Sequence, residues 1–140
     1  MQLSTKVRYA ARAMIELANR YENSPIQLND VACSQDISVK YLEQVMAPLR
    51  ARGYVRTQKG SRGGYHLAVE PGKITLYDIV ESIEGSLSPV ACVDNDLSCE
   101  RTEKCVTRAV WAGVKNAIIK ELKSKTLEDL AKEQEVLNGN

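Results

Sequence analysis

The chain lacks long apolar runs and has little of the residue chemistry that enzymes use. No segment approaches the about eighteen apolar residues of a membrane span, and Met1–Lys6 lacks the basic and apolar parts of a signal peptide. There is a single histidine, His66, and no pattern of a nucleophile–histidine–acid set, a phosphate-binding loop or a dinucleotide site. We therefore expect a cytoplasmic protein that has no membrane partner and is not an enzyme.

Charge is distributed unequally along the 140 residues. Residues 1–75 contain 11 Lys and Arg against 6 Asp and Glu, a net charge of +5, whereas residues 76–140 contain 8 against 12, a net charge of −4. A basic first half suits a nucleic-acid-binding surface, because Lys and Arg supply affinity for the phosphate backbone. An ordinary solvated surface explains so modest an excess equally well, so charge alone leaves both interpretations open.

Two successive apolar stripes predict a helix-turn-helix. Leu28–Ser34 is a short helical segment, Gln35–Ile37 a tight connection, and Ser38 the N-cap of a second helix whose Pro48 predicts a bend or an early end. Gln can bond adenine, Ser either base type, and Glu can accept from cytosine, as a DNA-reading helix requires. The buried stripe of the second helix is Leu42, Val45, Met46 and Leu49. Its outer face carries Lys40, Tyr41, Glu43 and Gln44.

A β-hairpin is predicted directly after these helices. Tyr54–Gln58 and Tyr65–Val69 have strand patterns and are joined by the glycine-rich segment Lys59–Gly64. Lys59 and Arg62 would place two positive charges at the hairpin tip, within reach of DNA phosphates or a minor groove. A helix-turn-helix followed by such a wing is far more specific than either part, and it indicates a DNA-binding protein.

The second half contains three further helical segments. Thr75-x-x-Asp78 is a capping box that opens a helix ending at Gly85, and Thr126-x-x-Asp129 opens the last helix. Between them a long helix runs from Cys105 to about Lys123 and has two apolar stripes. One stripe suffices to dock on its own domain, so the second implies a partner helix, most simply that of a second subunit.

A polar loop before the long helix contains three of the four cysteines, Cys92, Cys99 and Cys105, with spacing C-x6-C-x5-C. From spacing alone an iron–sulfur cluster, a zinc ion and free or redox-active thiols all remain open. We expect the fourth, Cys33, to be a small buried hydrophobe. The acids of the loop are expected to be solvated, although any of them could complete a coordination shell: Asp94, Asp96, Glu100 and Glu103.

Four segments together resemble the IscR-like iron–sulfur transcription regulators, whose relatives include nitric-oxide-sensing and cysteine-metabolism repressors. The segments are Leu3-Ser4-Thr5-Lys6-x-Arg8-Tyr9-Ala10, Ile37-Ser38-x-x-Tyr41-Leu42-Glu43-Gln44, Gly60-x-x-Gly63-Gly64-Tyr65-x-Leu67 and Cys105-Val106-Thr107-Arg108-Ala109-Val110-Trp111. The resemblance covers nearly the whole chain. It implies a mainly α fold with a small β-hairpin wing, in which residues 1–75 form a winged helix-turn-helix domain and residues 76–140 the cluster-binding loop and dimerisation helices.

The resemblance also implies a function. We expect a homodimer that binds a promoter operator in double-stranded DNA, represses transcription and senses the state of a cluster held by Cys92, Cys99 and Cys105, with [2Fe–2S] favoured and [4Fe–4S] possible. The alternative is a cluster-free repressor of cysteine or sulfur metabolism that senses thiols or a partner protein. The helix-turn-helix and wing pattern, taken together with the resemblance, gives the expected DNA-binding residues. They are Ser38, Lys40, Tyr41, Glu43, Gln44, Lys59, Gly60, Ser61 and Arg62.

The fourth cluster ligand is not evident. Where the iron–sulfur biogenesis members have a ligating histidine, this chain has Arg108, and where other relatives use the first helix of the partner subunit, it has Arg8 and Arg12. The loop is also one residue longer than usual between its first two cysteines. Glu103 or an exogenous group is the remaining candidate.

Overall fold

A computed structural model describes residues 2–139 and contains six α-helices and one antiparallel β-hairpin. The predicted class, mainly α with a small hairpin wing, is confirmed. Among the described residues no helix is both long and apolar enough to cross a membrane. The elements are α1 (Thr5–Asn19), α2 (Leu28–Ser34), α3 (Val39–Ala51), β1 (Val55–Gln58), β2 (Gly64–Leu67), α4 (Leu76–Glu84), α5 (Val106–Lys123) and α6 (Leu127–Leu137).

Side-chain caps determine where several helices begin. The Ser38 hydroxyl accepts a hydrogen bond from the backbone N–H of Tyr41 at 3.0 Å at the start of α3. Both predicted capping boxes are confirmed, with Thr75 and Asp78 opening α4 and Thr126 and Asp129 opening α6. Each cap satisfies N–H groups that have no partner inside the helix, so these starts follow from local sequence.

One hydrophobic core joins the two halves of the chain. Met14 of α1 and Leu42 of α3 are fully buried in the same cluster as Ile79 of α4 and Leu127 of α6. Helix α6 packs along α1, and Leu127 N–H donates to the Ile74 carbonyl at 2.8 Å. The core therefore crosses the boundary predicted at residue 75, and that boundary remains a prediction about the roles of the two segments.

One local expectation is contradicted in part and another is wrong. Of the bend or early end predicted at Pro48, the early end does not occur, because α3 continues to Ala51 and Arg52 N–H donates to the Pro48 carbonyl at 3.1 Å. Cys33 is exposed rather than buried. In α2 the neighbouring Val31 and Ala32 face the core, and the helical turn of about 100° per residue carries Cys33 to the outer side.

The wing is braced by a third backbone segment. Strands β1 and β2 pair from Val55 with Leu67 to Gln58 with Gly64, and Ile26 forms an additional antiparallel bridge with Tyr65 through hydrogen bonds of 2.8 and 2.7 Å. This close approach requires glycine next to Tyr65, because a Cβ atom on Gly64 would lie 2.2 Å from the Ile26 carbonyl oxygen.

Helix α5 has one face against its own chain and another in solvent. Ile118 and Leu122 pack against a small cluster of Val7, Val80 and Leu87. On the other side Val106 is 87% exposed, and within the described chain no residue of α5 is buried. Ile118 and Leu122 of one predicted stripe thus dock on the chain's own domain, whereas Val106 and Val110 of the other are exposed. The exposed apolar side chains are Val106, Val110, Trp111 and Val114.

Candidate functional site

The first turns of α3 present most of the predicted base-reading side chains to solvent. Ser38, Lys40, Glu43 and Gln44 are exposed. Tyr41 is half-buried instead, because its ring packs edge-on against Tyr9 with centroids 5.8 Å apart. Tyr41 thus contacts α1 as well as lying beside the exposed face.

The wing tip is exposed and positively charged. Lys59, Gly60, Ser61 and Arg62 all lie at the surface. The Gln27 side-chain amide donates to the Ser61 carbonyl at 3.2 Å, so the residue before α2 steadies the tip. Sequence reasoning missed this contact, since nothing in a pattern relates residues that are 34 positions apart.

A groove separates α3 from strand β2 and is lined by Glu43, Ala47, Arg50, Ala51 and Tyr65. Burial, and next the negative charge of Glu43, raise the pKa of the Tyr65 hydroxyl, while Arg50 opposes them. Glu43 is thus an acidic group within a surface that is otherwise basic. Such a group costs binding to DNA unless a donor is available to it.

The loop cysteines are near the surface and are not gathered into one site. Cys92 is half-buried, whereas Cys99, Cys105 and the proposed ligand Glu103 are exposed. Within residues 2–139, no group of three or more His, Cys, Asp or Glu side chains is arranged to hold a metal ion. The loop consists of three short 3-10 turns between Ala91 and Lys104.

Cys105 lies in an environment that stabilises its thiolate. It is the N-cap residue of α5, and its Sγ lies 3.0 Å from the Thr107 hydroxyl. Hydrogen bonding with the Thr107 side chain, followed by the backbone N–H groups of Arg108 and Thr107, lowers the pKa of the Cys105 thiol. The thiolate is the form that attacks electrophiles and binds metals, so this position favours either chemistry.

Two of the loop acids are paired rather than merely solvated, which corrects the expectation for them. Arg108 pairs with Asp96, and Lys115 Nζ lies 2.8 Å from Asp94 Oδ1. Hydrogen bonds from Lys115, Ser86 and Ser88 lower the pKa of Asp94. Arg108 and Lys115 therefore connect α5 to the loop. The only sign of this role in the sequence is that two cations, seven residues apart on α5, follow a loop that contains acids.

The donor set suits a soft metal centre in its chemistry but not in its present arrangement. Three thiols on one surface loop are the ligands that iron–sulfur clusters and zinc prefer. Among the described residues, however, the three thiols do not form a group arranged to hold a metal ion.

A helix-turn-helix with an exposed polar face, followed by a basic wing, defines the class of winged-helix DNA-binding proteins. Residues 3–133 match the Rrf2 family, described as iron-dependent transcriptional regulators. The chain belongs to this family of transcription regulators, which confirms the resemblance inferred from its motifs.

Individual relatives include two kinds of regulator. The HTH-type transcriptional regulator CymR of Bacillus subtilis is 40% identical over 131 residues, covering 94% of this chain and 90% of CymR. The solved structure of CymR, titled as the global cysteine regulator of B. subtilis, matches with a TM-score of 0.78 and 38% identity, covering 95% of this chain and 98% of CymR. The structure of T. potens IscR matches with a TM-score of 0.77 and 37% identity, covering 96% and 88%. The two similarities are nearly equal.

Proposed function

We propose that this regulator is a homodimeric, sequence-specific repressor that senses iron–sulfur cluster status through Cys92, Cys99 and Cys105. The observation that carries the proposal is the position of the three-cysteine loop, which leads directly into the helix with the exposed apolar face. The cluster supplies an iron- and oxygen-sensitive centre when bound. The [2Fe–2S] form is favoured by the resemblance.

The DNA-reading role is supported by the two kinds of side chain that α3 and the wing expose. Ser38, Glu43 and Gln44 offer hydrogen-bonding groups of the kind that read base edges. Lys59 and Arg62 offer charges that fix position on the phosphate backbone. Lys40, Tyr41, Gly60 and Ser61 complete the proposed surface.

The homodimer is supported by the outer face of α5. Val106 and Val110 are 87% and 58% exposed, on a helix that buries none of its residues in its own protomer. An apolar helix face of this kind is typical of subunit interfaces. A two-fold axis at α5 would present two recognition helices to the half-sites of a pseudo-palindromic operator.

A short path of packed elements connects the cysteine loop with α3. Cys105 immediately precedes α5, whose Ile118 packs against the cluster formed by Val7 of α1, Val80 of α4 and Leu87. Helix α1 in turn contacts α3, including the Tyr9–Tyr41 pair. A change in the loop can therefore alter the position of Tyr41 and its neighbour Glu43 through α5 and α1.

The alternative function is a cluster-free repressor of cysteine or sulfur metabolism that senses thiols or a partner protein. It is favoured by the similarity to the solved structure of CymR, the global cysteine regulator of B. subtilis. The lowered pKa of Cys105 suits a reactive thiol equally well.

Anaerobic purification distinguishes the two functions. The cluster proposal predicts coloured protein with iron and acid-labile sulfide, and loss of both in Cys99→Ser. Cys33→Ser is the matched control, because Cys33 is equally exposed but lies on α2, outside the loop. Colourless protein without sulfide would overturn the cluster proposal, and thiol-dependent DNA binding in that protein would support the alternative.

DNA binding is tested by two alanine variants. Gln44→Ala should reduce discrimination between operator and random DNA by about 1–3 kcal/mol, because it removes a base-edge contact. Lys59→Ala should weaken binding to both and lower the slope of affinity against salt by about one. Lys120→Ala, an exposed charge on α5, is the control. Equal losses on both DNAs in both variants would contradict this division.

A further inference from the structure

We propose that Arg108 and Lys115 hold the segment Cys92–Asp96 against α5, so that Cys92 is a preorganised ligand while the segment around Cys99 remains free to close. Arg108 is then a positioning residue rather than a ligand. The part of this proposal that concerns metal loading rests on the cluster function proposed above. We call Cys92–Asp96 the anchored segment and Leu97–Lys104 the free segment.

Arg108 bonds to both ends of the loop. Its Nε donates to the Cys92 carbonyl oxygen at 3.1 Å, and its terminal nitrogen pairs with the Asp96 carboxylate. Its backbone N–H donates to the Cys105 carbonyl oxygen at 3.3 Å. A single residue therefore contacts the first and third cysteines, which are 13 positions apart in the sequence.

Lys115 provides a second attachment about two helical turns further along α5. Its Nζ donates to Asp94 Oδ1 at 2.8 Å, and Ser88 Oγ donates to the same oxygen at 2.6 Å. The Arg108 and Lys115 side chains are only 30% and 27% exposed. Partial shielding from water makes such charge-assisted bonds stronger than those of fully exposed pairs.

The free segment has no comparable attachment. Within the described chain, the hydrogen bonds of Leu97–Lys104 reach no further than Asn95, as in the bond from Leu97 N–H to Asn95 Oδ1. Leu97 is 93% exposed. The anchored segment is therefore bonded to α5 and the free segment is not. Cys99, the middle cysteine of the loop, lies in the free segment.

This division lowers the entropic cost of assembling a three-thiol site. Ordering backbone residues costs conformational entropy, so holding one ligand segment in advance leaves only the other to be ordered on loading. Retention of a bound cluster should then depend on Arg108, although its guanidinium cannot coordinate metal.

Hydrogen–deuterium exchange on the full-length, metal-free protein tests the attachment itself. Asp94 and Asn95 N–H both donate to the Ala91 carbonyl oxygen, so their exchange reports opening of the anchored segment. Arg108→Ala should raise exchange in residues 91–96 about tenfold, the factor expected for the loss of a charge-assisted bond, and leave residues 98–104 unchanged. Unchanged exchange in residues 91–96 would overturn the proposal.

Matched variants separate the attachment from a general loss of charge or fold. Lys120→Ala removes an exposed cation from the same helix and should have no effect on exchange. Asp96→Asn should reproduce part of the Arg108→Ala effect, and the double variant should fall short of the sum of the two. Additive effects would contradict an Arg108–Asp96 contact.

Cluster retention tests the consequence for the ligands. After anaerobic reconstitution and addition of an iron chelator, Arg108→Ala should lose its visible absorption several-fold faster than the wild type, and Arg108→Lys should recover part of the difference. If exchange rises while the rate of cluster loss is unchanged, preorganisation of the ligand is overturned. If the wild type takes up no cluster, the proposed function fails, whereas the exchange results still decide whether Arg108 anchors the segment.

Discussion

The α3–wing region and the α5–cysteine-loop region differ in how much of their apolar surface is covered by the protein's own chain. In the first, Leu42, Val45 and Leu49 are fully buried on one side of α3 while polar side chains face solvent on the other. In the second, no described residue of α5 is fully buried, and Val106 is 87% exposed. The first region is therefore packed by its own chain, whereas the second leaves apolar and thiol groups available for a partner or ligand.

The bonds that hold the two regions also differ. The wing is fixed by backbone hydrogen bonds between Ile26 and Tyr65, and α3 by the Ser38 cap. The cysteine loop is held to α5 mainly through the side-chain pairs of Arg108 and Lys115. Segments held by a few partly exposed side-chain contacts open at lower free energy, which suits a segment that responds to a signal.

The largest effect should come from the core below the recognition helix. Leu42→Ala should reduce the free energy of unfolding by about 2–5 kcal/mol, because it leaves a cavity at a fully buried site. Val106→Ala on α5 should change it by less than about 0.5 kcal/mol. Chemical denaturation measures both. Similar losses for the two variants would remove the distinction between the regions.

A smaller loss is expected where the wing meets Ile26. Gly64→Ala should cost about 1–3 kcal/mol of unfolding free energy, because its Cβ would clash with the Ile26 carbonyl and force the bridge apart. Ser61→Ala at the exposed tip is the control for stability and should be nearly neutral. If Gly64→Ala is as stable as the wild type, the Ile26–Tyr65 bridge does not stabilise the wing.

The outer face of α5 should affect association rather than folding. Val110→Asp should weaken self-association about 30-fold or more, equivalent to about 2 kcal/mol at an interface, without lowering the helix content. Val136→Asp changes an equally apolar, 73% exposed residue on α6 and should leave association unchanged. Analytical ultracentrifugation measures this, and a monomeric wild type at micromolar concentration would contradict the dimer.

The smallest effect concerns acid stability at the start of α6. Hydrogen bonds with the Thr126 backbone and side chain hold the pKa of Asp129 below its ordinary value of about 3.9. Asp129 therefore stabilises the fold above that value, and the contribution is lost as pH falls through the lower, folded-state pKa. Asp129→Ala should lower Tm at neutral pH and make its decline from about pH 5 to about pH 3 shallower. Glu103→Ala is the control, and an unchanged pH profile in Asp129→Ala would refute the effect.

Local patterns predicted the elements and the exposure of most side chains of the proposed DNA-binding face of α3. The T-x-x-D boxes at Thr75 and Thr126 were identified correctly because both partners of each cap lie within one helical turn. The exposure of Glu43 and Gln44 follows from the period of the apolar stripe in α3. The cluster ligands and base-reading roles remain predictions.

Contacts between distant segments could not be predicted in this way. The bracing of the wing by Ile26 and the clamp of Arg108 on the loop depend on chain segments that meet only after folding. The expectation that Cys33 is buried was wrong because hydrophobicity alone does not say which side of α2 meets the core.

By itself, the sequence determined the helices, their caps, the wing and the presence of three thiols before an amphipathic helix. All of these depend on side chains within a few positions of one another, where periodicity and local hydrogen bonds decide the outcome. Only the tertiary structure decided that Leu127 completes the core beside α1, that one face of α5 remains exposed, and that Arg108 contacts Cys92 and Asp96 of the cysteine loop. These features depend on packing and charge pairing between segments that are distant in the chain, and no local pattern specifies such partners.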